Sequence, residues 1–312
     1  VYSMNIFIHH NGALGDTLLS LPALCALRTD GVSLHLAGRA DVVDFLKRTK
    51  VVDEAISSDR AIFAGLYAEP SDALLTYLKE FGRAYVFAAS DKLSPAATIS
   101  SIIGDTRTVR TIPPADSSLH AGAYRLLQLD HNLPIDEPPF HLFFPREDVW
   151  AAQCLLADAG VSAENKPIAV HPGSGAMAKC WPLKRYFELI ERLQDHFDRP
   201  IILFSGMAES PAVKQSIDYF VQARAGIVYL HEPKLIIAAS LLSCCAFYIG
   251  NDSGFTHLAA VAGCAAVALF GPTDPARWKP VGGRVTTIRA EGSQNMNDLT
   301  VQTVFDEILQ SR

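Results

Sequence analysis

From Cys245 the chain runs through a short apolar stretch to Ile249, crosses Gly250-Asn251-Asp252-Ser253-Gly254, and enters an Ala-rich segment. Five apolar residues closed by a glycine fit a buried strand, and about Thr256 to Ala262 reads as an apolar helix. A strand that ends in a small polar turn and then a helix is half of a βαβ unit. A chain that repeats this unit is confined to parallel sheets with helices on their faces. Asp252, Ser253 and Gly254 fall at the helix N-terminus, where unpaired N–H groups and the macrodipole favour an anion. Simple capping by Asp252 or Ser253 explains the same turn equally well. The stretch alone does not decide between them.

The unit recurs in both halves. Asn5 to His9 is a β-rich run, followed by His10-Asn11-Gly12-Ala13-Leu14-Gly15-Asp16 and by apolar residues at helical spacing from Thr17 to Arg28. Strands are expected at Leu34 to Ala37, Tyr85 to Ala88 and within Gly104 to Ile112. Helices are expected at Asp41 to Arg48, Ser71 to Phe81, Ala121 to Leu129 and Arg146 to Ala159. Leu133 to Pro145, rich in proline, reads as extended or loop. Pro167 to His171 restarts the alternation, with strands at Pro200 to Ser205, Ile227 to Leu230 and Ala265 to Phe270. Its helices are Leu183 to His196, Ser210 to Ala223, Lys234 to Leu242 and Val301 to Gln310.

A chain of 312 residues exceeds what one hydrophobic core usually supports. Two α/β domains are therefore expected, 1–160 and 161–312, joined in the polar stretch 160–166. The closing helix is a candidate to pack back on the first domain.

A net charge of -6 and pI near 5.9 argue against a nucleic-acid binder that depends on a broad basic surface. The six cysteines show no CxxC pair or metal-ligand spacing and read as reduced residues of a cytosolic protein. No apolar run reaches bilayer-spanning length, and no basic-then-apolar signal opens the chain. Val1-Tyr2-Ser3 precede Met4, which reads as the natural start. The first loop lacks GxGxxG, which disfavours an NAD-dependent oxidoreductase.

Polar residues collect where strands are expected to end, the edge at which open α/β sheets bind ligands. The second half offers Ser174, Gly175, Lys179, Glu209, Asp252, Ser253, Gly254 and His257. A lysine beside a helix N-terminus suits a pyrophosphate, and a carboxylate such as Glu209 suits ribose hydroxyls or an amine. Each has a plainer alternative: a solvated lysine, a helix-start acid, a structural histidine. In the first half Gly15 and Asp16 stand at the corresponding turn, where Asp16 is either a cap or a carboxylate held at the mouth of a cleft.

Taken together, several segments resemble glycosyltransferase family 9, the heptosyltransferases of the lipopolysaccharide inner core. They are Gly15-Asp16 with Leu18-Leu19-Ser20-Leu21-Pro22, His171-Pro172-Gly173-Ser174, Lys179-Cys180-Trp181-Pro182, Asn251 to Leu258, and Phe270-Gly271-Pro272-Thr273-Asp274-Pro275. The motifs stand in the family's order and span residues 6 to 275.

The resemblance implies a GT-B fold, two Rossmann-like domains facing each other across a cleft, with acceptor in the first and ADP-heptose in the second. It implies inverting transfer without a metal or cofactor. Asp16 would be the general base and Lys179 would stabilise the departing diphosphate. Ser174, Gly175, Asp252, Ser253, Gly254 and His257 would hold the donor, and Glu209 the adenosine ribose. The acceptor would be a lipopolysaccharide core, contacted through Gly15, Asp16 and arginines drawn from Arg39, Arg60, Arg107, Arg110 and Arg125. A cytoplasmic monomer is expected, with peripheral contact to the inner membrane. The rival readings are another nucleotide-sugar donor, a protein or other glycan acceptor, and a binding homologue without catalysis.

Overall fold

The computed structural model describes residues 4–90, 95–129, 142–162, 164–206, 209–290, 292 and 294–311. It divides into two compact units, Val1–Phe143 and Phe144–Arg312.

The first unit carries β1 (Met4–His10), α1 (Leu14–Leu19), α2 (Leu21–Ala26), β2 (Val32–Gly38), α3 (Ala40–Arg48) and β3 (Glu54–Ser57). After a 3-10 turn at Ala61–Leu66 come α4 (Asp72–Leu78), β4 (Arg83–Ala88), α5 (Ala96–Ile102), β5 (Thr106–Arg110) and α6 (Ala121–Leu127). The sheet order is β3-β2-β1-β4-β5, with every pairing parallel. In register, Ile8 lies between Leu36 and Tyr85. One face is sealed by Phe7, Phe63, Leu74, Leu78, Phe81 and Val86. Phe7 meets Tyr77 edge-on and Phe81 at a tilt. From β1 the chain first winds outward through β2 and β3, then returns to β4 on the other side. The sheet's topological switch point, where such folds bind ligands, is therefore the carboxyl end between β1 and β4.

The second unit holds α7 (Arg146–Asp158), β6 (Ile168–His171), α8 (Leu183–Phe197), β7 (Ile201–Ser205), α9 (Pro211–Gln222), β8 (Ile227–His231) and α10 (Leu235–Cys244). It continues with β9 (Phe247–Asn251), α11 (Gly254–Val261), β10 (Ala266–Phe270), α12 (Pro275–Trp278), β11 (Val285–Arg289) and α13 (Val301–Gln310). Its six parallel strands run β11-β10-β9-β6-β7-β8. Here the switch point falls between β6 and β9. Two parallel sheets flanked by helices give the paired Rossmann-like architecture of GT-B proteins.

Helix α8 shows why the elements form where they do. Tyr186, Leu189, Ile190 and Leu193 recur at helical spacing and are all buried against the sheet. The helix stops at Asp198, whose left-handed φ of 49° breaks the ladder. The closing helix α13 packs on α8, with Val301, Val304 and Ile308 entering the same core.

Several details depart from the sequence expectations. The compact units divide at Phe143/Phe144 rather than in 160–166, because α7 packs on α10. The single helix expected from Thr17 to Arg28 is two short helices meeting at Ser20. Strands β3 and β11 have no counterpart among the expected strands; both are edge strands whose residues are mostly half-buried or exposed. Most of the proline-rich stretch, 133–141, and Val1 to Ser3 lie outside the described residues.

Candidate functional site

Each unit presents a cluster at its own switch point. In the first, β1 passes through the Gly12 loop into α1. A Cβ on Gly12 would stand 2.8 Å from His10 Cε1 and 2.9 Å from Asp16 Cβ, so only glycine lets this loop close on itself. Ala13 is the N-cap of α1, and Asp16 lies inside the first turn. Asp16 is thus not a cap.

Beneath Asp16 lies Arg125 of α6, whose side chain is 0% exposed against 45% for Asp16. Arg125 Nε and Nη2 donate to the Thr111 carbonyl at 3.0 and 2.8 Å. Nη1 donates to Ser20 Oγ at 2.9 Å and to the Asp16 carbonyl. Nη2 also approaches Asp16 Oδ1 at 3.5 Å. Burial lowers the Arg125 pKa to about 10, which still leaves it cationic at neutral pH.

His10 completes the cluster. The Gly12 N–H donates to its Nδ1 at 3.2 Å, so the ring proton resides on Nε2 and is given to Ser20 Oγ at 2.9 Å. Burial first, then the Arg125 charge and His9, push His10 down to about 3, and the ring is neutral. Ser20 Oγ in turn donates to the Asp16 carbonyl at 3.2 Å.

In the second unit, β6 delivers the loop 172–182 and β9 delivers Asp252, on either side of the switch point. Lys179 ends a 3-10 turn and its Nζ donates to Asp252 Oδ2 at 2.7 Å. Thr273 Oγ1, beyond β10, donates to the same oxygen at 2.6 Å. Ser174 Oγ donates to the Asp252 carbonyl at 2.9 Å. Lys179 keeps 30% of its side chain exposed while Asp252 keeps 6%, so the pair offers the ammonium outward and the carboxylate inward.

Ser253, not Asp252, is the N-cap of α11; its hydroxyl accepts the Thr256 N–H. For Ser253 the capping explanation therefore holds. Gly254 is the first residue of that helix and His257 is buried within it. Gly175 is exposed, with open space where a Cβ would be.

Glu209 stands apart from Lys179. Ser210 is the N-cap of α9, and Glu209 lies just before it, buried. Its Oε2 accepts the Gly206 N–H at 2.7 Å, and Oε1 lies 3.5 Å from His171 Nε2. A Cβ on Gly173 would collide with Oε1. The His171 ring stacks on Phe255 with centroids 4.6 Å apart, and burial lowers its pKa to about 4.

The structure thus joins Ser174, Lys179 and Asp252 in one hydrogen-bonded group and seats Glu209 at the neighbouring strand end. The sequence reading missed Thr273, Asn251 and the buried role of Arg125. Thr273 and Asn251 lie inside the quoted motifs and were legible there. Arg125 gave no local signal, because it sits 109 residues from its partner Asp16. Its complete burial removes it from the arginines available to an acceptor's surface phosphates.

Among the described residues no group of His, Cys, Asp and Glu is gathered as for a metal, and no helix is long and apolar enough to cross a membrane.

Comparison with known proteins gives the cluster a context. Glycosyltransferase family 9 (heptosyltransferase) matches residues 136–309. A putative glycosyltransferase of Haemophilus influenzae is 25% identical over 299 residues, covering 88% of this chain and 86% of that protein. Lipopolysaccharide heptosyltransferase 2 of Escherichia coli K12 is 29% identical over 170 residues, 47% of each chain. In fold, the structure of E. coli ADP-heptose lps heptosyltransferase II superposes with a TM-score of 0.76 at 22% identity, covering 98% of both chains.

Proposed function

We propose, from the premise that this chain belongs to glycosyltransferase family 9, that it moves heptose from ADP-heptose to a lipopolysaccharide inner-core acceptor with inversion and without a metal. The chain is an enzyme of glycosyl transfer; donor, acceptor and residue roles are the proposal. Asp16 takes the proton of an acceptor hydroxyl as its oxygen bonds to the anomeric carbon. The bond from that carbon to the diphosphate breaks, and the electron pair leaves with ADP. Lys179 and the start of α11 oppose the charge that develops on the diphosphate. Glu209 receives the ribose.

The observation that carries this reading is Lys179 held 2.7 Å from Asp252 at the β6/β9 switch point, inside the family-matched span. A diphosphate arriving there offers the exposed ammonium a second anionic partner. The same reading has a monomer working at the cytoplasmic face of the inner membrane, where such an acceptor is built.

Isothermal titration with ADP-heptose, ADP, UDP and GDP, first metal-free and then with magnesium, tests the donor. Tightest binding of the ADP compounds without metal is expected. Preference for UDP or GDP, or a requirement for magnesium, removes the ADP-heptose assignment. Asp16→Asn should leave donor affinity intact and lower turnover by about two to four orders of magnitude. Wild-type turnover in that variant means that Asp16 is not the base. Lys179→Ala should weaken ADP binding and slow transfer together, and if it does neither the diphosphate binds elsewhere.

A further inference from the structure

Among the described residues Arg125 is the largest charged group fully enclosed in the first unit, and its hydrogen bonds account for the whole guanidinium. Five N–H donors meet five contacts: two to the Thr111 carbonyl, one each to the Asp16 carbonyl and Ser20 Oγ, and one to Asp16 Oδ1. The acceptors come from three places in the chain: the end of β5, the junction of α1 with α2, and the Asp16 side chain. A cation without water around it is stable only where such partners are fixed. Asp16 supplies the facing carboxylate, and its Oδ2 has no protein partner among the described residues. His10 does not compete for that role, because its ring is spent on the Gly12 N–H and Ser20.

We propose that Arg125 is a positioning residue for Asp16: it clamps the α1 backbone from below and draws Oδ1 inward, leaving Oδ2 to meet the acceptor hydroxyl. This rests on Asp16 being the base. The clamp needs a planar fork. A lysine reaching the same place keeps the charge but has only three donors around one nitrogen, so it cannot hold Thr111, Ser20 and both parts of Asp16 together. A carboxylate displaced by about 1 Å is enough to cost on the order of a hundredfold in rate.

A merely structural Arg125, a strut between β5 and the α1–α2 junction, would lower stability without any special link to Asp16. A double-mutant cycle separates the two, using ADP release from ADP-heptose with deacylated inner-core lipopolysaccharide as acceptor. Arg125→Lys is expected to lower kcat by about 10- to 100-fold with KM for ADP-heptose unchanged. In the Asp16→Asn background the same substitution should cost less than about twofold, since the group it positions is already gone.

Equal losses in both backgrounds, a loss in donor KM instead of kcat, or no loss at all overturns the positioning role while leaving Asp16 as base. An Asp16→Asn variant with full activity overturns the base assignment and this proposal with it; a wild-type enzyme that releases no ADP from this pair overturns instead the donor and acceptor reading on which this proposal rests. If Arg125→Lys does not fold, Ser20→Ala carries the cycle. It removes one acceptor of the clamp, and a kcat loss of about threefold is expected, absent in the Asp16→Asn background.

Discussion

At the scale of single residues, the second unit's cluster turns on what each side chain is prevented from doing. Glu209 is held inward by the Gly206 N–H and occupies the space above Gly173. Gly173→Ala would drive a methyl into Oε1 and place it 2.8 Å from Cδ, so the carboxylate must leave its seat. If Glu209 serves the ribose, this change should weaken ADP binding about tenfold, roughly 1.4 kcal/mol by titration. Unaltered affinity would mean that the nucleotide does not use that carboxylate. The residue identities at this site were largely legible, since Lys179, Ser174 and Asp252 all fall where strands end. Their connectivity was not. In sequence Asp252 reads either as a helix cap or as part of a diphosphate site; in the structure its carboxylate accepts from Lys179 and Thr273 while Ser253 does the capping. A carboxylate so engaged fixes the position of the Lys179 ammonium.

Among elements, the deciding piece is the end of β9. Asn251 is fully buried and bridges three segments: Oδ1 accepts from the Trp181 N–H at 3.0 Å and the Tyr186 hydroxyl at 2.9 Å, while Nδ2 donates to the Pro172 carbonyl at 2.6 Å. It thereby ties the loop carrying Lys179 and the start of α8 to the strand that delivers Asp252. Trp181 extends the tie, donating from Nε1 to the Leu299 carbonyl at 2.7 Å ahead of α13. Asn251→Ala leaves these buried groups without partners and should cost about 2–4 kcal/mol, read as a lower urea midpoint by tryptophan fluorescence. A midpoint within error of wild type would show that water replaces the amide. The central strands of both sheets could be read from sequence because burial on two faces writes them as continuous apolar runs, as in Ile201 to Phe204. Edge strands β3 and β11 carry residues such as Glu54, Thr286 and Arg289, with one side open to water, and no run marks them. The break at Ser20, by contrast, was legible in Pro22 two residues on. The second helix begins there because Pro22, in its first turn, has no N–H to give the Leu18 carbonyl, and the Ser20 hydroxyl at the junction is shared by His10 and Arg125.

For the molecule as a whole, two units with separate cores need not respond to acid alike. The first encloses His9 and His10, whose pKa values burial lowers from 6.5 to about 4 and about 3; the second encloses His171, lowered to about 4. Each ring is neutral when folded and takes up a proton when unfolded, so below about pH 6.5 the unfolded chain binds more protons than the folded one. Stability then rises with pH through the window from about 4 to 6.5 and is lost on acidification. Between pH 7 and 5.5 each such histidine removes about 1 kcal/mol, so His9 and His10 together should cost the first unit about 2 kcal/mol and His171 should cost the second about 1. Hydrogen exchange resolved by peptide should therefore show protection in β1, β2 and β4 falling with acid across this window. His9→Leu isolates the cause. Neither His9 ring nitrogen has a hydrogen-bond partner among the described residues, so the substitution removes a titrating group without breaking a bond. It should remove about half of the first unit's acid sensitivity and leave the second unit's unchanged. An acid sensitivity of the first unit that His9→Leu leaves unchanged would mean that other groups, rather than this ring, set its acid limit.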